Sequence, residues 1–277
     1  GITVKDYFKT RIPLPPIKIQ EKIADILSNV DNLIENYDSI IEMTKKLKKS
    51  IMRQLLTKGI GHKKFKKIKW YGSREIEIPE EWDYEQIGSL TSHVTYGLTV
   101  RPKYVKEGVP LISAREINSG DLDFETASKI SHEDFDSLYE KSKGMKDDIL
   151  FSKTGTIGLV GRAKTNEIFA ITQNVASLRP IQDRILPNFL ELSVKTTLFY
   201  EKCFRTLNAT TILDLQLGEL KKMRLPLPSI EEQQKITSIL SEIDSKRLDL
   251  ESKKKSIRSL KKGLMQKFLT GQIRVVI

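Results

Sequence analysis

Apolar positions along the chain follow two different rhythms. Between residues 13 and 60, Ile23, Ile26, Val30, Leu33, Tyr37, Ile40, Leu47 and Ile51 recur at alternating steps of three and four, with Thr44 as the one polar break. That is a single heptad stripe on an α-helix. Between 225 and 277 the stripe returns as Ile236, Ile239, Ile243, Leu250, Ile257, Leu260 and Leu264, interrupted by Lys246 and Lys253. Each stretch opens on Pro-Leu-Pro, an extended lead-in that a helix cannot include. Helices are therefore predicted from about residue 18 and about residue 231. At 1.5 Å per residue, roughly 40 residues make a rod about 60 Å long. A rod that is apolar on one narrow stripe and charged elsewhere needs a partner. From 79 to 224 the rhythm changes to short β-rich runs punctuated by Gly and Pro. Stretches 109–117, 147–155, 157–163 and 169–180 read as strands, and 131–142 and 187–204 as helices.

The two rods are copies of one another. Residues 13–60 and 226–273 align without a gap at an offset of 213, and 19 of the 48 pairs are identical, among them Pro13/Pro226, Gln20/Gln233, Ile23/Ile236, Asp31/Asp244, Lys49/Lys262 and Thr57/Thr270. A period this long is not that of a solenoid. The nearest partner for each rod is its copy. A chain that runs out along one, folds a domain and returns along the other predicts an antiparallel coiled coil. The expected fold is α+β: one mixed, mostly β domain plus two long helices. The expected divisions are 1–12, a first helix over 13–60, a basic linker over 61–77, the domain over 78–224, and a second helix with its tail over 225–277.

Charge qualifies this picture. The chain has 277 residues, a formal net charge of +11 and a pI near 9.5, which favours an anionic partner without identifying it. Residues 79–224 hold 19 Lys/Arg against 21 Asp/Glu, a net of −2, so the surplus lies on the helices and the linker. Within the domain, 121–140 is acidic, whereas 141–164 carries six bases against two acids. The single cysteine, Cys203, permits no internal disulfide. With neither a signal peptide nor a long apolar run, a cytoplasmic protein is expected, with no membrane partner.

Enzyme motifs are wanting. The run TGTIGLVG at 154–161 has glycines but lacks the lysine position of a phosphate loop. It reads as tight turns between strands. His62, His93, His132 and Cys203 are scattered without metal-ligand spacing. Asp147 and Asp148 at a strand start read as a turn rather than a metal pair, and Gln173 and Asn174 inside a strand-like run read as structural. For contact with DNA the loops of the middle domain are the candidates: Tyr96, Thr99, Arg101, Lys103 and Tyr104; then Lys143, Lys153 and Thr154; then Asn208, Thr210 and Thr211. Arg and Lys can pair with guanine and Asn with adenine, while other basic side chains take phosphates.

The order of several segments resembles the specificity subunit of type I restriction–modification systems. These are PLPPIKIQEKIADIL and its repeat PLPSIEEQQKITSIL, IPEEWDYEQIG (78–88), GVPLISAREINSG (108–120), DDILFSKTGTIGLVGRA (147–163) and ILDLQLGELKKMRLPLPS (212–229). The resemblance implies a half-length or truncated subunit with one target-recognition domain, residues 1–12 closing a missing first one. It implies a non-catalytic role, reading one half of a split site in double-stranded DNA. It further implies modification subunits docked on the helices, carrying S-adenosylmethionine and methylating adenine, and a restriction motor joined through the complex. The chain itself is expected to bind no cofactor and no metal. A homodimer of such half-subunits would read a symmetric split site. The other readings are a stand-alone DNA-binding or scaffold protein that uses the coiled coil for self-association, and, more distantly, a nuclease.

Overall fold

The computed structural model describes residues 14–118, 121–206 and 213–275. In chain order, helix α1 (Ile17–Lys58) precedes strands β1 (Phe65–Tyr71), β2 (Arg74–Pro79) and β3 (Asp83–Gln86), the short helix α2 (Ile87–Leu90) and β4 (Thr91–Tyr96). There follow β5 (Val109–Ile112), β6 (Ile117–Asn118), β7 (Asp121–Leu122), β8 (Ser128–Ile130), α3 (His132–Ser137), β9 (Lys143–Gly144), β10 (Ile149–Ser152), β11 (Val160–Arg162), β12 (Phe169–Ile171) and β13 (Val175–Pro180). The chain closes with α4 (Pro187–Val194), α5 (Thr197–Thr206), α6 (Leu217–Lys222), β14 (Arg224–Leu227) and α7 (Ile230–Leu269). Two compact units result: Gly1–Ser50 with Ser241–Ile277, and Ile51–Leu240. The closing segment expected at 1–12 lies outside the described residues.

In the first unit the long helices, 42 and 40 residues in full, run antiparallel. Lys48 pairs with Asp244 at 2.5 Å, Lys254 with Asp38, and Lys261 with Asp31 at 2.5 Å. Each step forward along α1 is met by an equal step back along α7. The first and last of these bonds are one interaction made twice, because Asp31 and Asp244, like Lys48 and Lys261, are equivalent positions of the repeat. The apolar seam uses Ile23, Leu27, Val30, Ile34, Tyr37 and Ile41 on α1, all buried or half-buried. On α7 it uses Ile243, Leu250, Ile257, Leu264 and Phe268, alternating with Arg247, Lys254 and Lys261.

This corrects a third of the expected stripe. Ile23, Val30, Tyr37, Ile243, Leu250, Ile257 and Leu264 are covered, and so are Ile26, Ile51 and Ile236. Leu33, Ile40, Leu47, Ile239 and Leu260 instead face solvent, at 44, 46, 55, 37 and 57% exposure. Ile34 and Ile41 take the inward places at 9 and 5%, and Leu240 that of Ile239. The physical reason is that apolar residues come in tandem, as in Leu33 and Ile34 or Ile40 and Ile41. Both three-then-four and four-then-three spacing then fit the sequence, and the facing helix selects one.

The second unit is built on two four-stranded sheets, β11-β10-β13-β4 and β8-β5-β12-β9, with the pairs β1-β2, β14-β3 and β6-β7. The first is antiparallel throughout, whereas β5 and β12 run parallel in the second. The run 169–180 is thus two strands in different sheets, split by a turn at Gln173 and Asn174, and the stretch 187–204 is two helices, broken at Lys195 and Thr196. The stretch 61–77, expected as a basic linker, carries most of a hairpin: Phe65 faces Pro79 and Ile68 faces Ile76 across it. Lys67 opposes Glu77 and Lys69 opposes Glu75, so the hairpin neutralises part of its own charge. Trp70 on the other face is buried, and its indole N–H donates to the Leu198 carbonyl. The dry core holds Ile112, Leu150, Phe151, Phe169, Ile171 and Val175, all completely buried.

The start of α7 is fastened to this unit by two side chains. Glu232 accepts from the Ile60 and Trp82 N–H groups, both at 2.9 Å, and meets His62 at 2.9 Å. Gln233, fully buried, accepts from the Leu186 N–H and donates to the carbonyls of Arg184 and Pro228.

Candidate nucleic-acid interface

Three segments distant in sequence meet around Tyr96, the last residue of β4. Its position is dictated by the next residue: a Cβ on Gly97 would fall 1.7 Å from the Ile171 carbonyl oxygen, so only glycine lets the chain cross β12 so closely. The crossing is held by Leu98 N–H to Ile171 and Gln173 N–H to Leu98. Lys141 lies 5.8 Å and Lys153 5.6 Å from the centre of the Tyr96 ring, and Lys141 is also 5.5 Å from that of Tyr139. Lysines beside aromatic faces gain cation–π attraction.

Lys153 continues the chain of contacts. Its ammonium donates to Asp214 at 2.7 Å, as does the Thr154 hydroxyl at 2.5 Å, while the Gln216 amide donates to the second carboxylate oxygen at 2.6 Å. The backbone follows, with Gly155 N–H donating to Leu213 and Leu215 N–H to Lys153. Partial burial opposes ionisation of Asp214, but donation by Lys153 and Thr154 outweighs it and holds the carboxyl below its ordinary range. With Lys153 only 9% exposed and committed to Asp214, the outward cation of the cluster is Lys141, beside Tyr139 at 79% exposure.

Of the residues singled out from sequence, the fold joins Tyr96, Lys153 and Thr154. Arg101 stacks over Tyr104 at 5.6 Å, and with Thr99 and Lys103 these make a separate exposed loop. Lys143 is turned to Glu140 at 2.9 Å and lies 5.4 Å from the Phe135 ring. Asn208, Thr210 and Thr211 lie outside the described residues. Sequence reasoning passed over Tyr139, Lys141, Asp214 and Gln216. The aromatic–basic alternation of YEKSKG at 139–144 is a signal for the first two; nothing local marks Asp214. Asp147 sits at φ 68° and pairs with Arg162 at 2.6 Å, and buried Asp148 binds Arg179 through two 2.8 Å bonds, so both are structural. Asn174 accepts the Thr172 hydroxyl and, through its carbonyl, the Lys153 N–H, while Gln173 is exposed.

The cluster offers donors, an acceptor, aromatic faces and an outward cation on one surface. That combination suits hydrogen bonding to base edges with a cation left for phosphate. Among the described residues no group of three His, Cys, Asp or Glu could hold a metal ion, and no helix is long and apolar enough to cross a membrane.

Residues 2–53 and 79–258 match the family described as type I restriction modification DNA specificity domain. The chain is 29% identical to the type I restriction enzyme MjaVIII specificity subunit of Methanocaldococcus jannaschii over 98% of its own length and 64% of that protein's. It superposes with a TM-score of 0.68 on a chain from a structure of complex assembly and conformational transition in a type I R-M system, at 17% identity, covering 99% of this chain and 64% of that one. The crystal structure of the HsdS subunit from Thermoanaerobacter tengcongensis gives 0.61 at 18% identity, covering 98% and 63%. The chain thus spans under two thirds of the length of each.

Proposed function

Because the chain belongs to the type I restriction modification DNA specificity family, we propose that it is the sequence-reading, non-catalytic part of a cytoplasmic type I restriction–modification complex. In this reading the unit Ile51–Leu240 recognises one half of a bipartite site in duplex DNA. The helices dock modification subunits, which bring S-adenosylmethionine and methylate adenine, and the restriction motor joins through them. A homodimer would address a symmetric site. The observation that carries the reading is the convergence of Tyr96, Lys141, Thr154 and Asp214 from four segments into one polar, aromatic and basic cluster. Docking through the helices is supported by Leu33, Ile40 and Leu47, exposed at steps of seven along α1, outside the seam. A solvated coiled coil has no need of a second apolar stripe.

The test is to map methylated adenines in DNA exposed to the chain together with modification subunits. The expected result is methylation in a split motif only when both are present. Sequence-specific binding by a chain that fails to co-purify with such subunits would favour the stand-alone reading. Metal-dependent cleavage by the chain alone would favour a nuclease.

A further inference from the structure

Most of the chain's surplus positive charge lies in the helical unit, Gly1–Ser50 with Ser241–Ile277. Residues 252–277 hold eight Lys and Arg and no Asp or Glu, whereas the span 79–224 is net negative. The helix macrodipole favours cations only over the last turn of a helix, which accounts for Lys267 but not for the rest. A face that merely keeps a helix soluble mixes both signs. Two of these cations, Lys254 and Lys261, are consumed by Asp38 and Asp31 in the seam, and Lys253 by Asp249. Lys255 and Lys262 are exposed and, among the described residues, have no acidic partner. The first copy repeats the arrangement: Lys48 is consumed by Asp244, while Lys49 is exposed without an acidic partner among the described residues and Lys46 is exposed with only a through-space attraction to Glu42, whose carboxylate hydrogen-bonds Lys45. Lys49 and Lys262 are equivalent positions of the repeat. Between the cations of α7 lie small polar positions, Ser252, Ser256 and Ser259, that would let a polyanion approach closely.

We propose that these helices carry a sequence-independent contact with the phosphodiester backbone of duplex DNA, made by Lys46, Lys49, Lys255 and Lys262. The inference rests on the DNA-reading proposal above and adds a second, separate contact to it. Recognition by base edges resides in Ile51–Leu240, which holds 28 Lys/Arg against 25 Asp/Glu, whereas Gly1–Ser50 with Ser241–Ile277 holds 19 against 11. The long-range attraction that brings DNA to the protein then comes from the helices, and their free lysines are of the right sign to supply it.

The experiment measures binding of the full chain, with and without modification subunits, to duplexes containing and lacking the mapped motif, between about 50 and about 200 mM salt. The comparison is with a variant in which all four lysines become glutamine. These side chains are exposed, so circular dichroism should be unchanged. For each lysine that meets a phosphate the slope of log affinity against log salt should fall by about 0.9. The discrimination between the two duplexes should stay the same. A slope equal to that of the wild type overturns the inference while leaving sequence reading intact. Loss of discrimination with an unchanged slope also overturns it. If the variant instead loses its modification subunits in a salt-dependent way while its DNA slope is unchanged, an acidic protein partner replaces DNA as the occupant. A wild-type chain that binds no DNA in any of these settings refutes both proposals.

Discussion

The two units are held together by different physics. In Ile51–Leu240, Phe151, Phe169, Leu150 and Ile171 are wholly out of water, and Phe151 meets Phe199 edge to face at 6.0 Å. In the helical unit most seam residues are half-buried, and every second place on α7 from Arg247 to Lys261 is a cation. A dry core draws its stability from area removed from water and from close packing. A two-helix seam has too little interior for that, so partner choice and direction rest more on paired charges. The lesson is that Ile51–Leu240 rests on packing that salt leaves untouched, while the pairing of the helices is more exposed to salt.

Four measurements would break or sharpen this contrast. Phe169→Ala should cost about 3–5 kcal/mol in denaturant unfolding, because it empties the packed core of the sheets. Ile41→Ala, at one of the better buried seam positions, should cost closer to 2 kcal/mol, the low end for deletion of a large aliphatic side chain, because the site can collapse or admit water. Equal losses at the two sites would erase the distinction. Lys254→Ala should cost less than about 1 kcal/mol, and the loss should shrink further in high salt, since Asp38 is about half exposed.

The fourth measurement is of pH dependence rather than of stability at one pH. Lys202 lies over the Trp70 ring at 4.3 Å, and burial pushes its ammonium down to about 8. An unfolded lysine titrates near 10.4, so between those values the unfolded chain holds a proton that the folded chain has released. Stability from this group should therefore rise as pH climbs from about 8 to about 10, and Lys202→Met should flatten the rise. Above that range Tyr84, pushed up to about 12 by burial, acts in the opposite sense.

Legibility varied with the range of the forces involved. Both long helices, their direction and the mixed domain between them could be read from the heptad rhythm and the repeat. The outward third of the stripe was misread because tandem pairs such as Leu33 and Ile34 satisfy two frames equally. The hairpin beginning at Phe65 was obscured by its own lysines, whose cross-strand partners Glu75 and Glu77 become visible only once the strands pair. Of the residues singled out from type and neighbourhood, Tyr96, Lys153 and Thr154 come together in one cluster, but the roles of its two lysines could not be read from sequence. Lys153 looks free in sequence and is held by an aspartate 61 residues away.

What the order of residues determined unaided is local or periodic: where the helices begin after Pro-Leu-Pro, that they are copies, and where the acid-free stretch lies. What only the tertiary structure decided is which of two adjacent apolar residues turns inward, which cations are already neutralised, and which loops share a surface. The reason is that such choices depend on the energy of contacts between distant segments. That energy is set by the partner's shape and charge and leaves no periodic trace in either segment alone.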